Sequence, residues 1–148
     1  MARLTLKNER TTAAGQSTGN SMTLEQQRAQ HAWQCCVRCQ PEQMDAYTKA
    51  AKGLPALIMN SGLMQVMAFM QEKQGKNGQG HYKTLAADLR GWLVTQIDEL
   101  TDDSFNGFMN ELMKMDPQVF QHTTAEAFAW LRWVRQIAPA VRASQGGR

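Results

Sequence analysis

Hydrophobic positions recur along this chain at spacings of three and four, and nowhere in a sustained run at every second residue. The first spacing puts apolar side chains on one face of an α-helix; the second would mark a strand. The pattern therefore predicts an all-α protein, a compact bundle of about six helices with short connections and no sheet. No internal repeat interrupts it.

Start and stop signals divide the pattern into elements. Thr23-Leu24-Glu25-Gln26 has the form of a capping box and opens a helix from Leu24 to about Cys39. Pro41 suits the first turn of a second helix, Glu42 to Lys52, which Gly53 ends. Pro55 opens a third, Ala56 to about Lys73. Its apolar residues Leu57, Ile58, Met59, Leu63, Met64, Val66, Met67, Phe69 and Met70 occupy nearly every face, so it is expected at the centre. Gln74 to Gly80 reads as a glycine-rich basic loop. Leu85, Leu89, Trp92 and Leu93 mark a fourth helix, His81 to about Ile97. Thr101-Asp102-Asp103 should cap a fifth, Asp102 to Met115. Asp116-Pro117 starts a short turn, and Thr123-Thr124-Ala125-Glu126 forms a second capping box that opens the last helix, ending near Pro139. Residues 1–22 read as a flexible basic arm carrying Arg3, Lys7 and Arg10. Residues 23–139 form the bundle domain, and residues 140–148 a frayed tail.

Composition narrows the class. At 148 residues the chain suits one domain, and 43% hydrophobic residues suffice for a core. No signal-peptide core precedes Asn20, and the most apolar run, Leu54 to Met70, is broken by Pro55, Asn60, Ser61 and Gln65. A cytosolic protein without a membrane span is expected, with Cys35, Cys36 and Cys39 reduced. The formal net charge is only +3, but it is unevenly spread. Between Asp98 and Asp116 six acids face one base, Lys114, so the rest of the chain is strongly basic. A polyanion could meet the basic body, and a basic protein neighbour the acidic element.

Few residues suggest chemistry. His31, Cys35 and Cys39 fall at i, i+4 and i+8 of one helix, and Cys36 to Cys39 is a Cys-x-x-Cys. A thiol or metal site is the sharp reading. Three such positions on a straight helix span about 12 Å, too far for one tetrahedral ion, so buried thiols are preferred. No nucleophile elbow, phosphate loop or His-Glu-x-x-His is present, and nothing calls for a cofactor or a metal. The ten methionines read as core filling. The basic residues are more informative. Arg132 and Arg135 lie on adjacent turns with Trp130 and Trp133 interleaved there, and Arg142 would extend that face if the helix survived Pro139. Lys49 and Lys52 form an i, i+3 pair, Lys83 and Arg90 share a face, and Lys73 and Lys76 flank the glycine loop. Such cations can track phosphates without reading bases. A helical DNA-binding regulator is the alternative.

One stretch is distinctive: Tyr47, Leu54-Pro55-x-Leu57-Ile58, Asn60-x-Gly62-Leu63 and Ala68-Phe69. It resembles the small helical subunit of the Cmr-type (type III-B) CRISPR effector complex. Arg28-Ala29-x-x-Ala32-Trp33 is similar to that family's first helix, and Tyr82-x-x-Leu85 followed by Gly91-Trp92-Leu93 to its fourth. Thr123-Thr124-Ala125-Glu126-Ala127 with Leu131-Arg132-Trp133 resembles its last. The resemblance covers Leu24 to Ala138. It implies a helical protein without catalytic activity, stacked along the effector filament with copies of itself and beside the backbone subunits that hold the guide RNA. Such subunits are thought to line the path of the target RNA and to help hold the guide–target duplex, while other subunits cleave. Arg132, Arg135, Lys49, Lys52 and Arg28 are the expected RNA contacts. Gly62 is expected to permit close helix contact, and Pro55 to set the start of the central helix.

Overall fold

The structure, a computed structural model, describes residues 21–145. Six α-helices account for most of it: α1 (Leu24–Arg38), α2 (Met44–Ser61), α3 (Leu63–Lys73), α4 (His81–Gln96), α5 (Phe105–Met113) and α6 (Pro117–Ser144), with a 3-10 turn at Pro41–Gln43. No strand occurs among the described residues, so the expected all-α class is observed. None of these helices is long and apolar enough to cross a membrane. The basic arm expected over 1–22 lies almost wholly outside the described residues, as do residues 146–148.

The capping box at Thr23 forms. Gln26 N–H donates to Thr23 Oγ1 at 3.0 Å, and Thr23 N–H to Gln26 Oε1 at 2.8 Å. The break expected at Gly53-Leu54-Pro55 does not. α2 runs through both residues, because Tyr47, Ala51, Leu54 and Ile58 form one continuous buried stripe across them. An interior proline costs about 3 kcal/mol of helix propensity, and burial of this stripe outweighs it. The chain breaks instead at Gly62, whose φ is +88°. A Cβ at Gly62 would meet nothing within 4 Å, so the glycine serves backbone conformation and not the close helix contact expected of it. The expected central helix is thus two pieces. α3 buries Leu63, Val66, Met67 and Met70, while Leu57 and Met59 at the end of α2 are exposed.

The last two helices also depart from expectation. α5 starts at Phe105, with Ser104 as its cap, donated to by Gly107 N–H at 3.2 Å. Glu111 instead turns back and accepts from the Thr101 and Asp102 amides, and Asp102 accepts from Ser104 N–H, so two acids are used in folding the 101–104 loop. α6 begins at Pro117, not Thr123. Thr123 is fully buried and its hydroxyl donates to Val119 C=O at 2.8 Å, so it caps nothing. α6 continues past Pro139 to Ser144, with buried Ala138 and Val141 on either side, so it does not end near Pro139 as expected.

α6 is the spine. It packs on α1, α2 and α4, while α2, α3 and α4 pack on one another and α5 rests on α3. Trp130, Tyr47, Phe108, Leu54, Leu63, Met67 and Leu89 are among the fully buried side chains at the centre. Asp45 meets Arg142, and Lys52 lies beside Arg135, so α2 and α6 run antiparallel.

Candidate nucleic-acid interface

The polar groups of the bundle divide into those used internally and those left free. Arg28 belongs to the first set. Its Nε and Nη2 donate to the two oxygens of Glu126, both at 2.7 Å, and Glu126 is almost fully buried. Trp92 Nε1 donates to the same carboxylate at 2.9 Å. The paired carboxylate raises the Arg28 pKa above its ordinary value. Such a bidentate pair satisfies both partners and leaves Arg28 committed to joining α1 to α6, so it leaves the expected set of RNA contacts.

The histidine and thiol stripe is also internal. Trp130 Nε1 donates to His31 Nδ1 at 2.9 Å, which requires that nitrogen to be unprotonated. Burial, helped by the charge of Arg38, lowers the His31 pKa to about 4. Cys35, Cys36 and Cys39 are buried. Burial pushes the Cys36 thiol up to about 12, the Cys39 thiol up to about 11, and Cys35 higher still. Neutral thiols are poor nucleophiles and must lose a proton to bind a metal, so this environment disfavours both versions of the thiol or metal reading. No group of three His, Cys, Asp or Glu that could hold a metal occurs among the described residues.

A second acid, Asp88, is largely buried. Tyr47 OH donates to Asp88 at 2.8 Å, and Arg38 approaches its other oxygen at 3.4 Å. Burial raises the Asp88 carboxyl above its usual range despite these partners. Tyr47 is thereby explained as a core residue.

Other cations are partly used. Arg90 Nε donates to Asp103 C=O at 2.7 Å, Lys76 pairs with Glu72 at 3.2 Å, and Lys73 lies 5.6 Å over the Phe69 ring. Arg142 pairs with Asp45 at 2.8 Å.

Four of the five expected RNA contacts remain. Lys49 and Lys52 are exposed on one stripe of α2, and Arg132 and Arg135 on one stripe of α6. None of the four makes an ion pair among the described residues. Three of them, Lys52, Arg132 and Arg135, line one shallow depression of about 370 Å³ with Gln136 and Pro139. Residues 80 positions apart in the chain thus converge because α2 and α6 are neighbours. The hydrophobic spacing could not reveal that pairing. The usable signal lay in the cations themselves, each at a position off the apolar stripe of its own helix.

A search of curated proteins gives no match to the chain. A family profile described as CRISPR-associated protein (Cas_Cmr5) matches residues 24–141, from the first turn of α1 almost to the end of α6. That span takes in the whole bundle, including the Tyr47 to Phe69 stretch that carried the resemblance. The chain therefore belongs to the Cas_Cmr5 family of CRISPR-associated Cmr (type III-B) subunits.

Proposed function

We propose that this protein is the non-catalytic small subunit of a cytoplasmic type III-B CRISPR ribonucleoprotein effector in antiviral defence. In this reading it stacks with copies of itself beside the backbone subunits and helps hold the target RNA and its duplex with the guide RNA. The observation that carries the RNA part is the convergence of Lys52, Arg132 and Arg135 on one depression, with Lys49 a turn away. Four cations on a small surface repel one another unless a polyanion or a partner's acids neutralise them. They sit on helix flanks and not on the first turn of a protruding helix, so they suit phosphates and not base edges. That disfavours the DNA-regulator alternative. Sequence selection would rest on guide–target pairing. The buried, protonated thiols and the neutral His31 offer no activated nucleophile or base, which supports a subunit that binds and does not cleave.

The test is an assembled effector carrying Arg132→Ala with Arg135→Ala. Both side chains are exposed, so the subunit should fold and assemble with an unchanged melting temperature. Target RNA retention should fall, with the largest loss at low salt, and its salt dependence should become shallower because two phosphate contacts are gone. Retention equal to wild type at low and at physiological salt would refute the assignment.

A further inference from the structure

The proposed phosphate surface has ends, and the ends are acidic. On α2, Asp45, Lys49 and Lys52 follow one another at i, i+4 and i+7 and share a face. On α6, Arg132, Arg135, Pro139 and Arg142 fall at i, i+3, i+7 and i+10 and also share a face. Because the two helices are antiparallel neighbours, the stripes run side by side; Lys52, Arg132 and Arg135 line one depression and Asp45 and Arg142 line a second. At one end, Asp45 Oδ1 holds Arg142 Nε at 2.8 Å and cancels the last cation. At the other, Glu25 reaches over from α1. Its Oε1 accepts at 2.7 Å from Nε1 of Trp133, the residue after Arg132, and lies 3.5 Å from Arg28 Nη1. Arg132 is among the charges that hold the Glu25 carboxyl below its usual range, after the Trp133 hydrogen bond. Ten residues of helix separate Arg132 from Arg142, about 15 Å at the α-helical rise.

We infer that the RNA track has a built-in length: it follows the adjacent α2 and α6 stripes for about 15 Å and is closed by the Asp45–Arg142 pair at one end and by Glu25 near the other. This rests on the RNA reading above and adds to it. A phosphate beyond Lys49 meets an arginine already neutralised, and one beyond Arg132 meets a carboxylate. Each subunit therefore grips a short, fixed stretch of backbone and resists its sliding onto α1.

The test uses the full chain, a fluorescein-labelled oligouridine and anisotropy titrations over a salt series. Asp45→Asn frees Arg142, and should steepen the slope of log K against log salt by about 0.7, one added single-strand contact. Adding Arg142→Gln to that variant should restore the wild-type slope. Glu25→Gln keeps an acceptor for Trp133 and removes only the charge; it should raise affinity severalfold at low salt, an effect that fades as salt screens it. Exposed sites should leave melting temperatures near wild type. Wild-type behaviour in either the Asp45 or the Glu25 variant overturns the bounded track. If Arg132→Ala with Arg135→Ala weakens binding at the same time, the RNA reading stands without it. If that double variant binds as tightly as wild type, both fall together.

Discussion

At the scale of single residues, environment decided roles that residue type left open. His31 is the clearest case. Paired with Cys35 at helical spacing it looked like half a site, yet its Nδ1 is taken by Trp130 and its pKa is lowered to about 4. The folded protein therefore resists protonating it, while the unfolded chain takes the proton near pH 6.5. Stability from this residue is complete above pH 6.5 and is lost as pH falls from there towards 4. The full shift corresponds to at most about 3 kcal/mol, and His31 is only partly buried, so solvent screening reduces it. Melting temperatures of wild type and His31→Gln, compared between pH 7 and pH 4.5, check this. Glutamine can still accept from the indole but does not titrate, so its decline should be shallower. Asp88 works in the opposite sense. Its carboxyl is raised, so it adds nothing to acid lability as pH falls from neutrality.

At the scale of elements, propensity located good starts and misplaced several ends. Thr23 and Gln26 lie three residues apart in sequence and need nothing else, so their capping box was readable. Pro55 and Pro139 looked like breaks, and both lie inside helices, because the residues around them are buried against other helices. The real break at Gly62 depends on a positive φ, which the sequence marks only by the presence of glycine. Gly62→Ala should therefore destabilise the bundle by about 1–2 kcal/mol through backbone strain alone, since there is open space for the methyl group. Equilibrium denaturation measures it. A neutral or stabilising result would mean that the α2–α3 turn relaxes into another conformation. Thr123-Thr124-Ala125-Glu126 shows the limit of motif reading. It has the letters of a capping box, but Glu126 is consumed by Arg28 and Trp92 from two other helices.

At the scale of the whole molecule, the Arg28–Glu126–Trp92 contact ties the first helix to the fourth and the last. Removing one partner strands a buried charge, so Arg28→Ala should cost about 3–5 kcal/mol. Hydrogen exchange should show α1 losing protection ahead of α3, and a protein as stable as wild type would mean that water rescues Glu126. The same tertiary arrangement sets the cationic groove. Lys49, Lys52, Arg132 and Arg135 were visible as exposed basic positions on two helices, and Arg28 looked no different from them. Helical periodicity tells which face of a helix points inward, because burial of apolar area is a property each helix carries in its own sequence. It thus determined the all-α class, most helix starts and the off-stripe cations, but not which methionines are core: Met44, Met67 and Met70 are buried while Met59 and Met113 are exposed. It does not tell which helices touch, because side-chain pairing across the bundle depends on long-range packing that no local window contains. Only the tertiary structure could therefore spend Arg28 on Glu126, cancel Arg142 with Asp45, and bring Lys52, Arg132 and Arg135 together at one depression.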